Sequence, residues 1–159
     1  MGKLEVWTAP LVIMVAVCLF GVAGQGQTKP STSNCMVEIV APHPGDHVSE
    51  TGQVSGTATI PSEDYLWVLA HKAGLNGWWP QGGGSRDISE GKWQATVFYG
   101  QPRDVGSNFE IVAVVVDDNN NTKLQQWVKD APNSGYPPTE FPNTVTGCST
   151  PKVIVAKTQ

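Results

Sequence analysis

The chain has 159 residues, of which 10 are basic and 14 acidic, for a formal net charge of −4. This mild acidity, without clustered Lys and Arg, argues against a surface that binds nucleic acid. A chain of this length supports a single core and leaves no room for a second domain.

The first 24 residues have the organisation of a secretory signal peptide. Lys3 lies near the start, residues 11–20 are an unbroken apolar run, and small residues up to Gly24 precede a suitable cleavage point. The run is short for a spanning helix, which needs about 20 apolar residues. The sequence therefore predicts a signal peptide over residues 1–24, a flexible lead-in over residues 25–34, and a secreted, periplasmic or cell-surface protein. The alternative is a retained membrane anchor.

Two cysteines remain after the leader is removed, because Cys18 leaves with it. Cys35 and Cys148 flank nearly the whole remaining chain, and an even pair in an oxidising compartment predicts a disulfide bond. We expect the first and last strands to lie side by side and parallel at a sheet edge, which would bring the two thiols within bonding distance.

Alternation of apolar and polar residues, the pattern of a strand with one buried face, occurs three times. The three segments are residues 36–39, 54–60 and 93–99. Two further runs are apolar on both faces and predict central strands: residues 65–70 and 109–116. With a last strand over residues 152–157 and turns rich in Gly and Pro between the segments, the sequence predicts an all-β sandwich of about seven strands over residues 35–159.

One short helix is predicted before the last strand. Its apolar stripe consists of three residues at helical spacing: Leu124, Trp127 and Val128. We expect Asn121 or Thr122 to cap this helix, Pro132 to end it, and Trp127 to anchor it to a sheet. Residues 133–146, rich in Pro, Asn and Thr, are predicted to form a long loop that packs across the sandwich.

A series of short motifs occurs along most of residues 35–159. The motifs are IVAP (39–42), GDHV (45–48), VSGTA (54–58), LWV (66–68), WWPQ (78–81), GKW (91–93) and FEI (109–111). Their order resembles an immunoglobulin-like domain that recurs in uncharacterised, mostly bacterial, exported proteins. The resemblance implies an immunoglobulin-like β-sandwich and a module without established enzymatic activity, and it leaves the ligand open.

The tryptophans supply the candidate binding residues. We expect Trp67 and Trp93 inside the core, as in other sandwiches of this kind. Trp78 and Trp79 are adjacent, so in an extended segment their side chains point to opposite faces, and one should lie near the surface. We predict that Trp78, Trp79 and Gln81 contact an unknown carbohydrate or protein partner. The alternative is that one indole plugs the end of the sandwich and the other lies under the Pro-rich loop.

The alternative function is a metal-dependent or hydrolytic enzyme that uses three histidines, His43, His47 and His71. The first two are four residues apart, but the prolines and glycine around them forbid the helix that would align them as zinc ligands. The acidic run at residues 117–121 lacks the Gly and Glu that a calcium loop requires. We therefore predict a protein that is not an enzyme, with no catalytic residue, no bound metal and no cofactor.

Overall fold

A computed structural model describes residue 2 and residues 35–159. The predicted signal peptide (except residue 2) and the predicted lead-in, residues 25–34, lie outside the described residues. Within the described ranges, no helix combines the length and apolar character needed to cross a membrane.

The described residues form eight strands, one α-helix and one short 3-10 helix. The strands are β1 (Met36–Ala41), β2 (His47–Val48), β3 (Thr51–Thr59), β4 (Tyr65–Lys72), β5 (Trp79–Pro80), β6 (Lys92–Phe98), β7 (Asn108–Val116) and β8 (Val153–Lys157). The helix α1 (Asp118–Ser134) lies between β7 and β8, and the 3-10 helix (Pro102–Asp104) lies between β6 and β7.

The strands form two sheets, one of three strands in the order β1-β3-β6 and one of five in the order β2-β8-β7-β4-β5. All pairings are antiparallel except that of β2 with β8. The predicted all-β architecture with one helix before the last strand is confirmed. The strands β2 and β5 were not predicted, because two residues each are too few to show an alternation.

The main core lies between the two sheets and follows the predicted alternation. On β6, Trp93, Ala95 and Val97 are buried, whereas Gln94 and Thr96 are exposed. The inward residues of β3, β4, β7 and β8 complete this core. The two sheets therefore face each other as a sandwich, with the apolar faces of their longer strands turned inward.

The strands β4 and β7 are buried on both faces, as predicted, because a second layer covers the outer face of their sheet. Trp67 on β4 and Val114 and Val116 on β7 pack against Leu124 of α1, with Val128 alongside. Trp67 is fully buried, as predicted, and it lies in this helix-facing cluster. The continuous apolar sequence of these strands is thus explained by core on one side and helix on the other.

The helix begins earlier than predicted. Its N-cap is Asp117, whose side chain accepts a 2.8 Å hydrogen bond from the backbone N–H of Asn120. The prediction of Asn121 or Thr122 as the cap was wrong, because an aspartate at the start of the polar run satisfies the free N–H groups first. The run at residues 117–121 is therefore the cap and first turn of α1.

The helix also continues past Pro132 to Ser134, where we predicted that it would end. Pro132 cannot donate a backbone hydrogen bond, but the helix continues for two more residues after it. The end is set instead by Gly135, which adopts a left-handed conformation with φ 74° and donates its N–H to the carbonyl of Ala131.

The predicted disulfide bond between Cys35 and Cys148 is confirmed, with the two Cα atoms 5.5 Å apart. The predicted route was wrong, because β1 belongs to the three-stranded sheet and β8 to the other. The carbonyl of Cys148 accepts a 2.9 Å hydrogen bond from the N–H of Val115 of β7. The disulfide bond therefore joins the two sheets. The chain crosses between the sheets after β1, and the short β2 becomes the parallel neighbour of β8.

Candidate functional site

The three histidines of the enzyme hypothesis do not meet. His71 lies on β4 and His47 on β2, with β8 and β7 between them, so their backbones are about 14 Å apart at the usual strand spacing. His43 lies in the exposed turn before β2, where its N–H donates to Asp46. Among the described residues, no group of three or more His, Cys, Asp and Glu side chains could hold a metal ion. The structure gives these histidines no common site.

Two of the three predicted contact residues are buried. Trp78 is 8% exposed and Gln81 6% exposed, whereas Trp79 is partly exposed. The side-chain amide of Gln81 donates to the carbonyl of Trp79 at 3.0 Å, and its oxygen accepts from the N–H of Phe98 at 2.9 Å. Gln81 thus fastens the segment after β5 to β6, and its polar atoms already have partners inside the protein.

Trp78 is the centre of a packed group at the edge of the five-stranded sheet. Its ring stacks on the imidazole of His71, with centroids 4.1 Å apart and planes 13° apart, and its edge meets Phe141 at 5.2 Å. Its backbone N–H and carbonyl both pair with Thr139 at 2.8 Å. Trp78 therefore holds the Pro-rich loop against the sheet, which agrees with the alternative interpretation of this motif.

A small ionic cluster lies beside Trp78. Glu110 accepts hydrogen bonds from His71 Nε2 at 3.0 Å and from Lys152 Nζ at 2.7 Å. The hydrogen bond from Lys152, and then that from His71, holds the pKa of Glu110 below its usual range. The side chain of His71 is only 10% exposed and is covered by Trp78, so the imidazole is closed to a substrate. The cluster links β4 and β7 to the residue that precedes β8, but it does not offer an open acid–base pair.

The exposed aromatic surface lies next to this group and uses only one of the predicted residues. It consists of Trp79, Trp127 and Tyr136, which we call the aromatic platform. Trp79 Nε1 donates to the carbonyl of Tyr136 at 2.8 Å, and Trp127 Nε1 donates to the carbonyl of Pro137 at 2.9 Å. The predicted role of Trp127 as an anchor to a sheet was wrong, because the residue lies outside the sheet-facing cluster and holds the loop.

The end of α1 positions Tyr136 in the platform. Gly135 and Tyr136 are both left-handed, with φ values of 74° and 55°, so the chain reverses sharply after the helix. The N–H of Tyr136 donates to the carbonyl of Ala131 at 2.9 Å, which completes the helix cap. A left-handed conformation is uncommon for a tyrosine, and it leaves the side chain 57% exposed. A glycine just after a helical pattern was the only sequence signal for this turn.

The hydrogen bonds of the platform decide which of its groups a ligand could use. Both indole N–H groups are already occupied by backbone carbonyls of the loop. What remains open is the partly exposed ring surface of the two tryptophans and the ring and hydroxyl of Tyr136. Such a surface suits stacking against an apolar C–H face with a polar rim.

The sequence matches no protein-family model, and it has no significant similarity to a curated protein.

Proposed function

We propose that the mature protein is a non-catalytic, exported binding module that holds a carbohydrate chain on the aromatic platform. The observation that carries this proposal is Tyr136, which is 57% exposed, has an uncommon left-handed backbone and lies beside the ring of Trp127. Its backbone carbonyl accepts a hydrogen bond from the indole of Trp79. Rigid, exposed aromatic side chains are typical of recognition surfaces, because they offer a large contact area at a small entropic cost. The proposal keeps Trp79 from the predicted patch and replaces the buried Trp78 and Gln81.

A carbohydrate suits the platform better than a protein partner. A sugar ring presents an apolar C–H face that stacks on an aromatic ring, and this contact needs no donor from the indoles. The indole N–H groups of Trp79 and Trp127 are not free to anchor a peptide. If the platform is found to bind a protein and no carbohydrate, that protein partner would replace the carbohydrate in this proposal.

Export is supported by two features of the chain. The apolar run at residues 11–20 has the length and position of a signal peptide, and Cys35 and Cys148 form a disulfide bond. Structural disulfide bonds persist in oxidising compartments such as the periplasm and the extracellular medium. The proposal places the protein there.

We also infer that the sandwich is immunoglobulin-like. Its support is the strand order, in which the first strand pairs with β3, switches sheets through β2, and leaves β8, β7 and β4 adjacent in the second sheet. Three features differ from antibody domains: α1 precedes the last strand, the disulfide bond starts ahead of β1, and Trp67 of β4 packs under α1 and not between the sheets.

The test is a titration of the secreted protein with a panel of soluble oligosaccharides, in which binding is measured by tryptophan fluorescence and by calorimetry. We expect a saturable signal with at least one glycan, and a loss of affinity of about tenfold in Tyr136→Ala, because one stacking ring is removed. Tyr136→Phe keeps the ring and should bind nearly as well as the wild type.

Phe98→Ala is the matched control. Phe98 is 61% exposed but lies on β6 in the other sheet, so its removal should leave the affinity unchanged. Equal losses in Phe98→Ala and Tyr136→Ala would contradict the platform. The absence of binding to every glycan, together with a protein partner whose affinity falls in Tyr136→Ala, would replace the carbohydrate by that partner.

A further inference from the structure

We propose that the peptide Asn76–Gly77 is a covalent modification site, at which the folded chain deamidates without an enzyme and forms isoaspartate. The two residues lie in the turn between β4 and β5, and they are the one Asn-Gly pair of the sequence. The side chain of Asn76 is exposed to water. In this reaction the backbone nitrogen of the following residue attacks the side-chain amide carbon of the asparagine. A following glycine favours the attack, because it has no side chain to hinder the approach.

The fold leaves the attacking nitrogen free. On either side of the pair, the N–H groups of Leu75 and Trp78 are both hydrogen-bonded to backbone carbonyls, at 3.1 and 2.8 Å. Between them, the N–H groups of Asn76 and Gly77 make no hydrogen bond with any of the described residues. The nitrogen of Gly77 can therefore lose its proton to water and attack without the local opening that a hydrogen-bonded N–H requires.

Packing requires the same glycine that makes the turn reactive. Gly77 is left-handed, with φ 91°, and a Cβ at this position would lie 2.5 Å from the Cβ of Pro138. A larger residue, which would slow the attack, cannot occupy this place without displacing the Pro-rich loop. The fold thus keeps a glycine directly after an exposed asparagine.

The reaction has two steps. In the first, the nitrogen of Gly77 bonds to Cγ of Asn76, and the side-chain nitrogen leaves as ammonia with the proton that the Gly77 nitrogen gave up. The product is a cyclic succinimide. In the second step, water opens the ring at either carbonyl, which gives aspartate or isoaspartate and one new negative charge. In isoaspartate the backbone runs through Cγ, so the chain is one methylene longer at residue 76.

The longer backbone acts on the attachment of the Pro-rich loop. Trp78 follows the modified pair directly, and it is held by its stack on His71 and by its two backbone hydrogen bonds to Thr139. An added methylene just before Trp78 moves Gly77 against Pro138, where there is no space for it. Isoaspartate formation therefore weakens the hold of the sheet on this loop.

The experiment incubates the purified protein in mildly alkaline buffer and follows each asparagine by peptide mapping and mass spectrometry, with fragmentation that distinguishes isoaspartate from aspartate. Asn133 is the internal comparison, because it precedes the small residue Ser134 but lies in α1, where backbone N–H groups are hydrogen-bonded. We expect Asn76 to lose its amide about tenfold faster than Asn133, because no hydrogen bond must open first. The same chain unfolded in urea gives the intrinsic rate, and the native rate at Asn76 should lie within about tenfold of it.

Asn76→Gln is the matched control, since glutamine keeps an exposed amide but must close a larger ring and reacts far more slowly. Cleavage of the loop by chymotrypsin, after Tyr136 and Phe141, should be severalfold faster in the aged wild type than in fresh protein. It should be unchanged in aged Asn76→Gln. The proposal is overturned if Asn76 keeps its amide in the native protein over a time in which urea-unfolded chain loses it. It is also overturned if the product is aspartate alone, or if the aged loop is cleaved at the fresh rate.

Discussion

Tyr99 is the residue at which burial and polarity are most directly opposed. It is fully buried between the sheets, where its ring meets that of Phe109 edge-on at 5.8 Å. Its hydroxyl has no hydrogen-bond partner among the described residues. Burial raises the pKa of Tyr99 from 10.0 to about 12, because the phenolate is disfavoured away from water. The neutral hydroxyl itself lacks the hydrogen bond that it would make with water in the unfolded chain.

Replacement of this hydroxyl gives a sharp prediction. Tyr99→Phe should increase the free energy of unfolding at pH 7 by about 1 kcal/mol, because an unpaired buried hydroxyl is removed. Below pH 10 the phenol is protonated in both the folded and the unfolded chain, so the shift has no effect there. From pH 10 to about 12 the unfolded chain ionises first, and the free energy of unfolding falls. The wild type should therefore lose stability over this range, whereas Tyr99→Phe should keep the part that depends on residue 99.

Urea unfolding at pH 7 and pH 11 measures both effects. Tyr136→Phe is the control, because Tyr136 is 57% exposed and the loss of its hydroxyl leaves the core unchanged. The prediction would be wrong if Tyr99→Phe were less stable than the wild type at pH 7. It would also be wrong if the variant and the wild type lost the same free energy of unfolding between pH 7 and pH 11.

Lys157 is a charged residue that is buried inside the domain. It continues the inward face of β8 after Val153 and Val155 and is fully buried. Its long apolar stem lies in the core, and its ammonium donates to the carbonyl of Gln101 at 2.7 Å. The loop before β7 is therefore fastened to the last strand from inside the molecule.

At the scale of elements, α1 makes the five-stranded sheet a buried layer. The contact between the helix and the sheet includes one specific polar link, in which Trp67 Nε1 donates to Asn121 Oδ1 at 3.0 Å. Both residues are buried, so this hydrogen bond sets the position of the first turn of the helix over β4. Without a partner, the indole N–H would stay desolvated and unpaired.

Asn121→Ala should reduce the free energy of unfolding by about 1–3 kcal/mol, because the indole N–H of Trp67 loses its acceptor. Asn119→Ala is the matched control, since Asn119 is exposed in the same turn of the helix and should change stability little. Chemical denaturation followed by near-ultraviolet circular dichroism measures the stability and the environment of Trp67 together. Equal effects of the two substitutions would show that helix propensity, and not the link to Trp67, is the cause.

For the whole molecule, the disulfide bond closes a loop with a sequence separation of 113 residues between Cys35 and Cys148. It joins the start of one sheet to the segment beside β7 of the other, so it restrains nearly the whole domain. On the chain-entropy model, a bond that closes so long a loop destabilises the unfolded state by about 5 kcal/mol.

The double variant Cys35→Ser with Cys148→Ser should therefore lose several kcal/mol of stability in urea, up to about 5 kcal/mol. The wild type in reducing agent should reach a similar midpoint, which is the internal control. A loss below about 1 kcal/mol in both would show that the reduced unfolded chain is already compact, so that the bond removes little entropy.

The sequence alone determined the six longer strands, most of the core and the pairing of Cys35 with Cys148. Alternating residues such as those from Trp93 to Val97 placed one face of β6 inside, because a strand exposes and buries side chains in turn. The doubly apolar run at residues 65–70 predicted a central strand for the same reason. With the predicted leader set aside, Cys35 and Cys148 were the two cysteines available to pair, and they form the disulfide bond.

The tertiary structure decided everything that depends on neighbours distant in the chain. It separated His47 from His71, buried Trp78 on His71, and brought the ring of Tyr136 beside that of Trp127. No local pattern encodes these contacts, because the side of a strand on which a given helix or loop packs depends on how the sheets and loops close around one another. Periodicity specifies which face of an element is buried, and only the assembled fold specifies what covers it.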